Sequence, residues 1–199
     1  EILEYHWKWD EAGEAFRQGI ALSPRYATGH QWYAYHLQIR NRWDEGIREM
    51  ERARELDPLS LVIVVSLAVA YDGADRAPDA EPLYEQAQAL YPEHDLTLSL
   101  LFGHDLLLGR TEKAAADYRR LLIANGWDST PAADVERRLR EPSSRAAAFR
   151  QVADSAHPWL GLVINRVLHG DDATIAYLAD LAKSPRRETV NGAGLYALM

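Results

Sequence analysis

Large and small apolar residues recur along the first two-thirds of the chain at intervals of 34 residues. The row of large residues and the row of small ones lie four positions apart, which is about one helical turn. The large row is Phe16, Met50, Tyr84 and Tyr118, and the small row is Ala12, Gly46, Ala80 and Ala114. This pattern predicts a fold that repeats one helical unit.

Three prolines, Pro24, Pro58 and Pro92, have the same 34-residue spacing. Because proline cannot continue a helix, we place each one after the second of two antiparallel helices. A small residue at the crossing lets the helix backbones approach, and the bulky residue one turn later fills the space beside it. One pair cannot bury its apolar face alone, so stacked pairs build a continuous core. The Val-rich run over residues 61–69 falls on a first helix by this register, so no strand is predicted.

These positions match a known repeat signature, W-x2-L-G-x2-Y followed by A-x3-F and P. In the second repeat the matching residues are His30, Tyr33, Ala34, Leu37, Gly46, Met50 and Pro58. The chain therefore resembles the tetratricopeptide repeat family, which implies an all-α, right-handed α-solenoid. The fourth repeat departs from the pattern, with Phe102 for the small residue and Asp105 for the tyrosine, and Gly103 could take the small-residue role after a one-residue slip.

The resemblance divides the chain into two parts. Residues 1–126 form an array of about four repeats, of which the first is truncated, and residues 127–199 form degenerate helical repeats that continue or cap the solenoid. In the second part, Asp128 to Pro131 start a helix that reaches about Leu139, and Ser143 and Ser144 cap another that reaches about Ala156. Further helices are expected after His157, with a turn at Gly170.

By resemblance, the first helix of each repeat lines a concave groove and contacts ligands from four recurring positions. The candidate groove residues are Thr28, Gln31, Tyr35, Gln38, Val62, Val65, Val69, Asp72, Ser99 and Leu106. None is the Lys, Arg or Asn with which chaperone-binding members of the family hold a C-terminal carboxylate. The groove therefore suits an apolar or amphipathic segment of a protein or peptide.

Three of these residues, Val62, Val65 and Val69, form one stripe at helical spacing. They lie outside the packing positions of the repeat itself. Because valine side chains left in water are unfavourable, we expect another segment to cover them. Three occupants remain open at this point: a partner segment, a second copy of the chain, or the region after Trp127.

The sequence offers little for catalysis or metal binding. It has no cysteine, and its histidines lack the spacing of a helical metal site. Paired acids such as Asp171 and Asp172 lie at predicted helix starts, where the helix dipole favours them. We therefore predict no catalytic residue, no metal and no cofactor. A cluster of five arginines between residues 137 and 150 is interpreted as a solvated helix face, with a docking patch for an acidic partner as the alternative.

The formal net charge of -8 disfavours binding to nucleic acid or to an anionic membrane. No apolar run approaches the roughly 18 residues that span a bilayer. Residues 26–34 and 56–61 resemble the repeat arrays of bacterial signalling proteins, in which a winged-helix domain, cyclase or kinase precedes the repeats. We expect a cytoplasmic protein-interaction module, a scaffold or sensor within a longer bacterial regulator. The alternatives are a homo-oligomerisation module and, more remotely, an enzyme domain.

Overall fold

The computed structural model describes the backbone of residues 8–155 and the side chains of residues 8–152. The first helix of the truncated repeat and the helices expected after Ala156 lie outside this range. Every regular element within it is an α-helix, as the 34-residue register predicted. The helices are α1 Trp9–Leu22, α2 Ala27–Ile39, α3 Trp43–Leu56, α4 Leu61–Gly73, α5 Ala77–Leu90, α6 Asp95–Leu107, α7 Thr111–Ala124, α8 Ser129–Arg140 and α9 Pro142–Ser155.

The helix starts confirm the period. Helices α1, α3, α5 and α7 begin 34 residues apart, and so do α2, α4, α6 and α8. Because α6 begins and ends in register with α2 and α4, the one-residue slip considered at Gly103 does not occur. The first two helices predicted after Trp127 are present as α8 and α9. The predicted cap of the second is wrong, because α9 begins at Pro142 and Ser143 and Ser144 lie inside the helix.

The turns within each repeat share one backbone conformation. Asn41, Asp75 and Gly109 have φ angles of 57°, 57° and 70°. In all three turns the next residue is an arginine whose backbone N–H donates to the carbonyl five positions earlier, over 2.7 to 2.9 Å. This is the Schellman arrangement, in which a residue in the left-handed region ends the helix. Asn, Asp and Gly tolerate that region best, which explains why these three residue types recur there.

Two of the turns between repeats are held by side chains from the next odd-numbered helix. The Gln86 side chain donates to the Pro58 carbonyl at 3.4 Å, and the Arg120 side chain donates to the Pro92 carbonyl at 2.6 Å. Gln86 and Arg120 are themselves 34 residues apart, so this contact belongs to the repeat.

The turn between α7 and α8 has a different backbone conformation from the other turns between repeats. Gly126 occupies the position of the three prolines and has a φ of 86°. The backbone N–H of Trp127 donates to the Leu122 carbonyl at 3.0 Å, which is again a Schellman bond. Proline cannot adopt a positive φ, so the loss of proline from the fourth repeat follows from this turn geometry.

The described residues divide into two compact units, with the division after Gln86. In the N-terminal unit, α1 packs on α2, α2 on α3 and α3 on α4. Ala53 and Ala80 are fully buried, which confirms the burial predicted for these two positions. Gly46 shows how close the helices come: a Cβ atom there would lie 3.0 Å from the Ala34 carbonyl oxygen.

In the C-terminal unit, α6 packs on α7, α7 on α8 and α8 on α9. Phe102 stands where the earlier repeats have alanine, and its ring lies 4.9 Å from that of Tyr118. Helices α8 and α9 share the core of α6 and α7, so they extend the same array. The core consists of Phe102, Leu106, Ala114, Ala115, Tyr118, Leu122, Ala132, Leu139, Ala148, Phe149 and Val152. The described part of the chain is thus an all-α array of consecutive helices, of the α-solenoid type.

Candidate interaction site

The predicted groove residues of α2 join a buried hydrogen-bond chain. Gln31 Nε2 donates to Tyr35 Oη at 3.0 Å, and Tyr35 Oη lies 2.5 Å from Ser66 Oγ on α4. Gln31 and Tyr35 are only 8% and 9% exposed. Burial raises the pKa of the Tyr35 hydroxyl, and its bonds with Ser66 and Gln31 oppose that rise. The tyrosine is therefore a neutral junction between two helices and offers little surface to a ligand.

Gln38, another predicted groove residue, lies inside a helix pair. It is buried, and a Cβ atom on Gly46 of α3 would come within 2.9 Å of its Cγ. Its Nε2 has no hydrogen-bond partner in the described part of the chain. Its side chain therefore fills the space that Gly46 leaves open.

The valine stripe is divided by the fold. Val65 is 2% exposed, whereas Val62, at the start of α4, is 49% exposed and Val69 is intermediate. An aspartate at Val65 would thus bury a carboxylate and destabilise the fold. Of the stripe, Val62 is the residue most accessible to a partner.

Three of the remaining predicted groove residues have partners within the fold. Asp72 accepts a hydrogen bond from Tyr84 Oη at 2.9 Å, and Ser99 Oγ donates to the Leu96 carbonyl at 3.0 Å. Leu106 belongs to the core of the C-terminal unit. Thr28 is partly exposed.

Apart from Val62, the exposed large apolar side chains lie outside the predicted groove. Eight of the nine among the described residues lie in the four turns between repeats or within two residues of them. In the N-terminal unit they are Leu22, Tyr26, Leu59 and Val62, and in the C-terminal unit they are Leu90, Tyr91, Ile123 and Trp127. The ninth, Leu108, lies in the α6–α7 turn within a repeat. Sequence analysis missed this grouping, although apolar residues beside the prolines were visible in the repeat.

A contact joins the α5–α6 turn of the C-terminal unit to helix α7. Arg120 on α7 donates to Glu93 Oε1 at 3.0 Å as well as to the Pro92 carbonyl. The α5–α6 turn therefore lies against the last turns of α7, which carry Ile123 and lead to Trp127. We call Leu90, Tyr91, Ile123 and Trp127 the C-terminal turn surface.

A buried ionic cluster lies between α6 and α7. Asp105, fully buried, pairs with Lys113 at 3.2 Å and with Arg110 at 3.5 Å. Asp117, also buried, pairs with Arg120 at 3.0 Å. Burial raises the pKa of Asp117 and the Asp105 charge adds to this effect, while Arg120 opposes it. Each acid has a basic partner, so the cluster satisfies the requirement for pairing buried charges.

Two of the five arginines in the cluster on α8 and α9 pair with acids, while Arg138 donates to Gln151 and Arg145 to backbone carbonyls. Arg137 contacts Asp134 and Glu141, and Arg140 contacts Glu112 and Glu136. A shallow depression of about 600 Å³ lies beside these side chains. Its arginines already have acidic partners, so it provides no unbalanced charge for an anion.

The described residues contain no group of three or more side chains that could hold a metal ion. None of the helices described is long and apolar enough to cross a bilayer. No protein-family model matches the chain, and comparison with curated proteins gives no significant match. The fold and its exposed surfaces are therefore the basis for assigning a function.

Proposed function

We propose that this chain is a protein-interaction module that binds partners through the turns between its repeats. The observation that carries the proposal is the concentration of exposed large apolar side chains in those turns. Exposed apolar residues that group together, rather than lying singly, are typical of interaction surfaces. A repeat array supports this role because each repeat presents its turn at an equivalent position.

The centre of the predicted groove is a weaker candidate. Gln31, Tyr35 and Val65 are already buried, so a partner segment would have to displace their neighbours. Val62 is part of both surfaces, because it belongs to the valine stripe and lies beside the α3–α4 turn. We therefore move the proposed contact from the groove to the turns and keep Val62 in it.

The tetratricopeptide repeat assignment is part of the proposal. It is supported by the 34-residue recurrence of helix starts and turn conformations. The wider setting rests on the resemblance alone: a scaffold or sensor in a bacterial regulator, located in the cytoplasm, with no enzymatic role of its own.

The proposal is tested with paired serine substitutions in the full chain. Leu59→Ser/Val62→Ser removes the exposed apolar side chains at the α3–α4 turn, and Ile123→Ser/Trp127→Ser removes those at the α7–α8 turn. Leu108→Ser is the matched control, because Leu108 is exposed in a turn within a repeat. A phage-displayed random peptide library is selected on the wild type, and enriched clones are re-measured on each variant. We expect at least one turn variant to lose about tenfold in affinity, since apolar anchors dominate such interfaces, and the control to retain it.

Equal binding of the enriched clones to all variants and to the control would refute the turn assignment. Light scattering across concentration tests self-association separately. A mass that doubles from 22.5 kDa and returns to monomer in the turn variants would identify the occupant as a second copy of the chain.

A further inference from the structure

The C-terminal turn surface has an excess of negative charge beside its apolar residues. Glu93 and Asp95 lie in or beside the α5–α6 turn with about two-thirds of each side chain exposed, and Asp128 is exposed in the α7–α8 turn. Arg120 is the cation in contact with this turn, and it already serves two carboxylates, Glu93 and Asp117.

The other charged groups nearby do not balance this surface. His94 pairs with Asp95 and is charged only when protonated. Arg119 on α7 pairs with Glu136 of α8 at 3.2 Å. In the N-terminal unit, by contrast, the same count of exposed charges in or beside the turns gives Arg25, Glu55 and Asp57, and Glu55 pairs with Arg52. The acidic character is thus a property of the C-terminal turn surface and not of every turn.

We propose that the C-terminal turn surface binds a basic amphipathic helix of a partner protein, an inference that rests on the proposed function above. An amphipathic helix presents an apolar stripe flanked by polar side chains, which matches exposed apolar residues bordered by carboxylates. Lysine and arginine on the partner also cover apolar surface with their aliphatic stems while the charged groups reach the acids. Opposite charges across the contact raise the association rate and select against acidic partners.

The same charges disfavour two other occupants. A second copy placed face to face would bring Glu93, Asp95 and Asp128 close to their equivalents, and like charges brought together reduce affinity. An anionic membrane would be repelled in the same way.

The test uses three synthetic amphipathic peptides with the same leucine face and with lysine, glutamine or glutamate on the polar face. Fluorescence anisotropy measures their binding to the full chain at low and at high salt. We expect the lysine peptide to bind at least about tenfold more tightly than the glutamate peptide at low salt, and this preference to shrink at high salt because screening weakens exposed charge pairs.

Two variants separate charge from apolar contact. Asp95→Asn/Asp128→Asn removes two charges and leaves shape and helix-capping ability almost unchanged, because Asn caps helices as well as Asp does. It should lower the affinity for the lysine peptide by about three- to tenfold and leave the glutamine peptide unaffected. Ile123→Ser/Trp127→Ser should lower the affinity for the lysine and glutamine peptides by about tenfold or more, whereas Leu108→Ser should leave both affinities unchanged. Circular dichroism melting confirms that each variant is folded.

The outcomes distinguish the two proposals. If all three peptides bind with equal affinity and only Ile123→Ser/Trp127→Ser lowers it, the assignment of the binding surface is supported and the basic partner is refuted. If the serine pair weakens none of them, the use of this surface is itself refuted. A lysine-peptide preference that survives Asp95→Asn/Asp128→Asn unchanged would also overturn the inference, because the attraction would then come from other acids.

Discussion

Two residues at the same repeat position show how one site exchanges an aromatic side chain for a charge. In the third repeat, the guanidinium of Arg76 lies over the Tyr71 ring, 4.7 Å from its centroid, and Tyr71 Oη donates to Glu51 at 2.6 Å. Burial and this carboxylate raise the pKa of Tyr71 to about 12, so the phenol stays protonated.

In the fourth repeat, Asp105 takes the place of Tyr71, and Arg110 takes the place of Arg76 and pairs with that carboxylate. A second difference between the two repeats compensates for the charge of Asp105. Where the third repeat has Asp79 in α5, the fourth repeat has Lys113 in α7. Lys113 supplies the second positive charge to Asp105. The substitution to lysine was visible in the 34-residue register, and it is the signal that would have identified the buried pair.

Asp117 carries the first prediction at this scale. Its pKa is raised in the folded state, mainly by burial, and its Oδ2 has no hydrogen-bond partner among the described residues. A raised folded pKa means that ionised Asp117 opposes folding above that pKa. This penalty disappears as the pH falls below the ordinary aspartate value of 3.8. We expect Asp117→Asn to raise the urea midpoint at pH 7, and the gain to diminish as the pH falls through this window.

Asp134→Asn is the matched control, since Asp134 also pairs with an arginine three residues later but is half exposed. Removal of such a surface pair should change the free energy of unfolding by less than about 1 kcal/mol. If Asp117→Asn lowers the midpoint at pH 7, its ion pair with Arg120 outweighs the cost of burial and the interpretation is wrong.

At the scale of the element, helix α5 tests the packing register. Ala80 is fully buried at a predicted crossing position, whereas Ala89 on the same helix is exposed. Ala80→Trp should overpack the core and lower the free energy of unfolding by about 1–3 kcal/mol or more. Ala89→Trp should change it by no more than about 0.5 kcal/mol. Thermal or urea denaturation of the two variants makes the comparison, and equal stability would contradict the register.

The helix ends depend on local chemistry that the sequence contained. Asn41, Asp75 and Gly109 end the first helix of three successive repeats, and all three residue types tolerate a positive φ. Gly126 replaces a proline for the same conformational reason. These features are local along the chain, so the sequence contained the signal, although the sequence analysis did not name these positions.

At the scale of the whole molecule, the net charge of -8 makes one prediction. Binding to DNA comes mainly from phosphate neutralisation by Lys and Arg, and this chain has an excess of acids. The full chain should therefore give no shift of a duplex DNA in a gel at physiological salt. A shift that weakens with added salt would contradict this.

The sequence by itself determined the helices, their 34-residue register and the buried rows that include Ala53, Ala80 and Met50. These features follow from the period of the α-helix and from the contact of each repeat with its neighbours, and both produce periodic patterns of apolar residues in the sequence.

Only the tertiary structure decided which of the predicted groove residues a partner can reach. Tyr35 and Val65 are buried whereas Val62, three residues before Val65, is exposed. The structure also showed that the apolar turn residues lie in solvent and that Asp105 has two basic partners. The physical reason is that burial and charge pairing depend on how close residues from different helices come, and the spacing of residues along one helix does not specify those distances.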